Sequence, residues 1–344
     1  MAITGRFKLA AVQAAPIQFD LVASTDKACR LIAEAGAMGA TIAAFGETWL
    51  PGYPFFMCGP PMERDIWPAL AEYLANAVEI PSPTTDRLCV AAKTAGIDVV
   101  IGVVERDETS RGTVYCTLLF IGREGRILGR HRKLKPTYVE RSVWGEGDAV
   151  GLRTYDRPYG RISGLNCWEH LMMLPGYALA AQGTQIHVAA WPGREPSAVA
   201  PSPNPMRTRQ LLLSRAFAAQ AGCYVIGAAG VRMNSDTPQR YKDLSAFEHT
   251  GDSFIIDPRG EIIAGPVQGE TILIAEGSME VVLAAKAAAD LGGHYSRPDV
   301  FQLSIDRRPR RRLVLRDDAS KEDLSENQIS VTVGPQAPLV PSTG

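Results

Sequence analysis

The sequence predicts an α/β fold built as a layered sandwich, and three features carry that expectation. Strand-like and helix-like segments alternate with no long linker until the C-terminal stretch. Many strand-like runs are apolar at every position, the pattern of sheets covered on both faces. Two turn sequences, Gly122-Arg-Glu-Gly125 and Asp257-Pro-Arg-Gly260, each separate two such runs and read as hairpins.

In order, Phe7 to Gln13 reads as a strand, Ser24 to Ala37 as a helix with Ser24 as its N-cap, and Thr41 to Phe45 as a short buried strand. A helix near Arg64 to Ala77 and another from Thr85 to Ala95 precede the strand Asp98 to Val104. Val114 to Phe120 and Ile127 to Arg132 form the first hairpin. The run Ile162-Ser-Gly-Leu-Asn-Cys-Trp-Glu-His170 is a strand that stops sharply at Cys167, with a helix following to about Gln182. Ile186 to Trp191 is a strand, Met206 to Ala221 a long helix and Cys223 to Ala229 a strand. Ser253 to Ile256 pairs with Glu261 to Ala264 in the second hairpin.

Composition excludes several classes. With 344 residues, 46% apolar and 21% charged, the chain buries a large core. A net charge of −1 favours neither nucleic acid nor an anionic membrane as partner. The N-terminal residues are too polar for a secretory signal and no apolar run has membrane-spanning length. Six cysteines without C-x-x-C or disulfide-scaffold spacing suit a reducing cytosol. The expected organisation is a single domain over residues 1–306 and a tail over 307–344. The tail opens with the arginine run Arg307-Arg-Pro-Arg-Arg-Arg312, read as a solvated or subunit-contacting segment that is mobile in the isolated subunit.

Cysteine is most often a small buried hydrophobe. Cys29, Cys89, Cys116 and Cys223 lie in periodic helical or strand-like runs and read as packing residues. Cys58, in a Pro/Gly-rich loop, lines a pocket or is buried. Cys167 differs, because a strand feeding a helix at a tight turn exposes the turn residue and aims free backbone N–H groups at it. That is a nucleophile's position. Three charged residues also stand where a strand or hairpin ends: Glu47 after Ile42 to Phe45, Lys133 after Ile127 to Arg132, and Glu140 shortly beyond. Ligands sit beyond the carboxyl ends of strands, so Glu47, Lys133 and Cys167 meet if their three strands are neighbours. Together they supply a base, a cation and a nucleophile.

These residues lie in stretches that resemble the nitrilase superfamily of carbon–nitrogen hydrolases, and within it the nitrilases. The stretches are Ala11-Val-Gln-Ala-Ala-Pro16, Phe45-Gly-Glu-Thr-Trp-Leu-Pro-Gly-Tyr-Pro54, His131-Arg-Lys-Leu-Lys-Pro-Thr137 with Glu140-Arg141, Gly164-Leu-Asn-Cys-Trp-Glu-His170, His187-Val-Ala-Ala-Trp-Pro192 and Tyr295-Ser-Arg-Pro-Asp-Val300. The resemblance implies a four-layer α-β-β-α sandwich that self-associates as a homo-oligomer, a dimer or a larger, spiral assembly. It implies Glu47 as general base, Lys133 as electrostatic stabiliser, Cys167 as nucleophile and Glu140 as a second, positioning carboxylate, with no metal or organic cofactor. The expected reaction partners are a small-molecule nitrile and water.

The chemistry asks for these residue types independently. A nitrile carbon is a weak electrophile, and a thiol of ordinary pKa is only slightly ionised near neutrality, so an adjacent base is needed. Lys133 and the backbone N–H of Trp168 are the expected donors to the developing anion. Trp168-Glu169-His170 resembles nitrilases rather than the amide-cleaving branches, which leaves an amidase or a cyanide-hydrolysing enzyme as alternatives. Tyr53, Trp168, Trp191 and His170 are candidates for the substrate-binding surface, with the Pro-rich stretch Trp191 to Pro205 as a rim; ordinary core packing is the competing reading for Tyr53 and Trp191. A Cys–His hydrolase fits poorly, because His170 lies only three residues beyond Cys167 and no protease-like motif accompanies His187. His170, His187 and Glu169 have no metal-ligand spacing, and His131, His249 and His294 read as structural or surface residues. A non-catalytic scaffold of this fold is disfavoured by the intact Glu47, Lys133 and Cys167.

Overall fold

The computed structural model of the chain describes residues 5–57, 65–193, 208–244 and 248–310. Cys58, most of the Pro-rich rim and the tail beyond Arg310 lie outside the described residues.

The elements run β1 (Arg6–Gln13), α1 (Leu21–Ala37), β2 (Ile42–Phe45), α2 (Trp67–Ala75), α3 (Pro83–Ala95), β3 (Asp98–Arg106), β4 (Val114–Gly122), β5 (Arg126–Arg132), β6 (Tyr155–Arg157), β7 (Gly160–Asn166) and α4 (Met173–Ala181). They continue with β8 (Ile186–Trp191), α5 (Arg209–Ala221), β9 (Tyr224–Ala229), β10 (Val231–Arg232), β11 (His249–Ile256), β12 (Ile262–Gln268), β13 (Thr271–Ser278) and α6 (Met279–Ala288). One sheet has the order β13-β1-β2-β3-β4-β5; the other is β10-β11-β9-β8-β7-β6, with β12 paired to β11. Both expected hairpins form, β4 with β5 and β11 with β12. The strand β13, which the sequence reading left unassigned, pairs along all of β1 and completes the first sheet.

Alternation within the strands explains the layers. On β1, Ala10 and Val12 face one way, and on β2 and β3 so do Ala43, Phe45, Val99 and Ile101, against Ala28 and Ile32 of α1 and Leu88 and Ala92 of α3. Their neighbours Leu9, Ala11, Ile42, Ala44 and Val100 face the second sheet's Ile162, Ile186, Val188, Ile226 and Ile255. The outer face of that sheet, including Ala189, Val225 and Phe254, packs against Leu211 and Ala218 of α5. The result is the four-layer α-β-β-α sandwich. Strands buried on both faces carry no polar alternation, hence their continuously apolar sequences.

Two helix boundaries correct the sequence reading. α1 starts before Ser24: Asp20 is the N-cap, its Oδ1 accepting from Ala23 N at 2.8 Å. Ser24 lies inside the helix, where its hydroxyl donates to Ile17 O and accepts from Ile17 N, both at 2.9 Å. The expected continuous helix after Cys167 is two pieces, a 3₁₀ turn over Cys167–Leu171 and then α4, separated by the extended Met172. Arg307, assigned to the tail, donates to Leu152 O at 2.8 Å, so the chain is still tied to the body there. Among the described residues no helix is long and apolar enough to cross a membrane.

Candidate active site

Glu47 follows β2 in a turn pressed against the second sheet. A Cβ on Gly46 would come within 2.8 Å of Gly230 N and 2.9 Å of Trp191 O, so only glycine permits that approach. The approach lets Glu47 N donate to Trp191 O at 3.0 Å. Lys133, just past β5, donates its backbone N–H to Cys116 O on β4 at 2.7 Å. Its ammonium donates to Glu47 Oε1 and to Glu140 Oε2, both at 2.7 Å, with the lysine side chain fully buried. Glu140 sits in the 3₁₀ turn Tyr138–Ser142, where Oε2 also accepts from Thr137 N and Oε1 accepts from the Tyr53 hydroxyl at 2.9 Å.

The expectation that the three strands are neighbours is corrected. β2 and β5 are separated in their sheet by β3 and β4, and β7 belongs to the other sheet. Convergence comes from stacking: β2 and β5 run in the same direction, and their carboxyl ends meet those of β7 and β8 across the sandwich. Cys167 is 5% exposed, at the end of β7, and a negative charge on it reinforces the charged form of Lys133.

Backbone strain gathers here. Among the described residues five non-glycine residues have a positive φ, and three flank the cluster: Thr48 (φ 45°) beside Glu47, Tyr138 (φ 53°) at the start of the Glu140 turn, and Cys167 itself (φ 46°). Such conformations cost about 1–3 kcal/mol each and persist where surrounding contacts impose them. At Cys167 the left-handed backbone is what makes the strand-to-turn break sharp.

Burial is the dominant influence on Glu47 and raises its pKa from 4.5 to about 7; Lys133 opposes the rise and Glu140 adds to it. Burial works against the ammonium of Lys133, but Glu47 and Glu140 outweigh it and hold Lys133 above the ordinary lysine range. Glu47 Oε1 receives a second donor, the thiol of Cys116 at 3.4 Å. Cys116 is therefore part of the site as well as of the core, a correction to its reading as a packing residue. Glu47 Oε2 has no hydrogen-bond partner among the described residues.

Glu169 is the residue that sequence reasoning missed. Its Oε2 accepts from Asn166 N and its Oε1 from Leu134 N, both at 2.8 Å, and His131 Nε2 lies 3.1 Å away. One buried carboxylate thus ties the residue before Cys167 to the residue after Lys133. Burial opposes its ionisation, yet His131 and the two backbone donors hold its pKa below the usual carboxylate value. The signal was present: an asparagine followed three residues later by glutamate is the spacing of a helix-capping pair.

The candidates for the substrate surface separate. Tyr53 is half-buried, bonded to Glu140 and packed edge-on to Trp144. Trp168 is half-buried under the Arg209 guanidinium, 4.5 Å from its ring. Trp191 is fully buried and stacks on His170 at 5.1 Å, so it is core beneath the site. His170 lies with Nδ1 2.7 Å from Cys167 O and Nε2 3.0 Å from His187 Nε2, which commits both ring nitrogens within the protein. It is corrected from substrate contact to internal support. His131 and His249 are buried, and His294 is exposed.

A two-sheet sandwich whose strand ends carry a thiol and a lysine held between two carboxylates fits a hydrolase. Comparison with known proteins agrees. A family model for carbon–nitrogen hydrolases matches residues 8–287. The chain is 56% identical over 318 residues to "Nitrilase 2" from an unknown prokaryotic organism, covering 91% of this chain and 96% of that one. It is 37% identical to an "Aliphatic nitrilase" of Rhodococcus rhodochrous, over 89% of this chain and 84% of the relative. The crystal structure of a Saccharomyces cerevisiae member of branch 10 of the nitrilase superfamily shares the fold at TM-score 0.66 and 20% identity, over 86% and 98% of the two chains. The chain belongs to the carbon–nitrogen hydrolase family.

Proposed function

We propose that this protein is a nitrilase that converts an organic nitrile to its carboxylic acid and ammonia. The observation that carries the reading is the buried Glu47–Lys133–Glu140 cluster beside a thiol in a left-handed turn. Relatives named as nitrilases support the branch over the amidases.

Glu47 is the general base. A carboxylate with a pKa near 7 is matched to proton transfer at neutral pH, and Oε2 is the oxygen left to take the thiol proton. Cys167 then attacks the nitrile carbon. Negative charge grows on the nitrile nitrogen, where Lys133 and the Trp168 N–H stabilise it, and protonation gives a thioimidate. Water activated by Glu47 adds to the thioimidate; collapse of the tetrahedral intermediate expels ammonia and leaves a thioester. A second water releases the acid and the thiol. Glu140, anchored by Thr137 N and Tyr53, orients Lys133.

The substrate side is argued from smaller features. An aliphatic or arylaliphatic nitrile is favoured, with the half-buried Tyr53 beside Glu140 as a candidate wall for its apolar part. Free thiols among the described residues fit a cytosolic location. Exposed Met173 and Leu174 on α4 and Leu212 on α5 fit self-association through that face, with the segment beyond residue 306 as a further contact. The test of function is a panel of nitriles against their corresponding amides with ammonia detection. Nitrile hydrolysis with slow amide cleavage is expected; fast amide cleavage with inert nitriles moves the protein to the amidase branch.

A further inference from the structure

Cys167 has φ 46°, a conformation that L-residues adopt only under constraint. The peptide that follows it joins Cys167 C=O to Trp168 N–H, and in a trans peptide these two groups point in opposite directions. Whatever fixes the carbonyl therefore aims the N–H.

The carbonyl is fixed by His170, whose Nδ1 lies 2.7 Å from Cys167 O. A carbonyl can only accept, so Nδ1 carries the proton. Burial depresses His170 to about 4, against the raising influence of the Cys167 carbonyl and Glu169 and with the help of Lys133. The ring is neutral near pH 7 and its Nε2 is bare. His187 Nε2, 3.0 Å away, must then be the donor, leaving His187 Nδ1 to accept from the Ser163 hydroxyl at 2.8 Å. The Thr184 hydroxyl lies 3.1 Å from Ser163 Oγ and 2.8 Å from Leu179 O, and its one proton goes to one of these two acceptors. From Ser163 to Cys167 every proton position follows from its neighbour. His170 stacks on Trp191, and His187 packs at a tilt against Phe217 at 4.3 Å, which restricts the planes of both rings.

We propose that His170 is a positioning residue: held as the Nδ1–H tautomer by His187 and Ser163, it pins the Cys167 carbonyl and so points the Trp168 N–H at the anion formed on the substrate. The proposal rests on Cys167 being the nucleophile. It separates two demands of the reaction, because thiol activation belongs to Glu47 and alignment of the anion's backbone donor belongs to His170.

The experiment compares nitrile turnover with alkylation of Cys167 by iodoacetamide, a displacement that forms no oxyanion. In His170→Phe, which keeps a ring over Trp191 but loses the donor, kcat should fall about tenfold to a hundredfold with KM changed less than about threefold. The alkylation rate should stay within about twofold, since the thiol's proton affinity is set elsewhere. His170→Asn places an amide N–H close to the Nδ1 position and should restore the rate to within about threefold of the parent. A phenylalanine variant with parental kcat, an asparagine variant as slow as phenylalanine, or alkylation that falls in step with turnover each overturns the proposal. Nitrogen-15 spectra of the intact protein between about pH 6 and 8 give a readout independent of any variant. They should show Nδ1–H on His170 and Nε2–H on His187; the opposite tautomers, or an imidazolium, overturn it. Failure of the nucleophile assignment is distinguishable, because it appears as turnover by Cys167→Ala.

Discussion

Two buried ionic clusters lie at opposite ends of the sandwich, and they are satisfied to different degrees. At the amino end of β3, Asp98 accepts from Arg123 N and Arg157 Nη2 on one oxygen, and from Arg157 Nε and the Tyr159 hydroxyl on the other. No lone pair remains for a reaction. At the carboxyl end, Lys133 is shared by two carboxylates, and one oxygen of Glu47 has no partner among the described residues. The first arrangement is a clasp. In the second, charge is held in a dry place with an acceptor unspent, which destabilises the fold locally and primes it for proton transfer.

The largest expected effect lies at the thiol. Cys167→Ala should remove ammonia release by a factor of at least about 10⁴ while leaving the thermal midpoint nearly unchanged; turnover near the parental rate would end the assignment. Next is Lys133→Ala, which strips the shared cation from two buried carboxylates. It should abolish turnover and, at pH 8, cost roughly 3–5 kcal/mol of stability in denaturant unfolding. Retained activity would reduce Lys133 to a structural counter-ion like Arg157.

Asp98→Ala breaks the saturated cluster instead. It should cost a similar, roughly 3–5 kcal/mol, with kcat within about twofold of the parent. A large loss of kcat with little loss of stability would erase the contrast between the two ends.

The pH dependence sharpens the same comparison. Glu47 titrates near 7 in the folded protein and at its ordinary 4.5 when unfolded, so between these values the folded state binds more protons. Its contribution to stability therefore falls as pH rises from 4.5 to 7, by an amount on the order of a few kcal/mol, and Glu47→Gln should flatten that slope. Activity should run the other way, with kcat/KM declining below about pH 7 as the base is protonated. The smallest effect is a control remote from both clusters: Asp20→Ala, which removes the α1 cap, should cost about 1 kcal/mol and leave the pH–rate profile unmoved.

Much of the site could be read in the chain because its residues stand at breaks in pattern. Glu47 and Cys167 each end an apolar run and Lys133 ends a hairpin strand, and a charged or nucleophilic residue at such a break is conspicuous. Glu169 and Cys116 were harder to read. Glu169 acts through partners far apart in the chain, Leu134 just past β5 and Asn166 at the end of β7, and Cys116 is indistinguishable from packing until β4 is laid beside the turn that carries Glu47. The end of the helix after Cys167 also escaped, since an apolar run through Leu171-Met-Met-Leu174 has no breaker where the backbone extends at Met172.

The sequence by itself determined the layers, since runs apolar at every position demand covered sheets and alternation of strands with helices supplies the cover. It also determined the chemistry at each strand end, which depends on residue type alone. Tertiary structure decided which strand ends meet: β2, β5 and β7 are not neighbours, and only the face-to-face stacking of two sheets brings their carboxyl ends together. It decided the roles of the histidines too, because a tautomer is fixed by hydrogen-bond partners that lie far apart in the chain, and no local pattern records them.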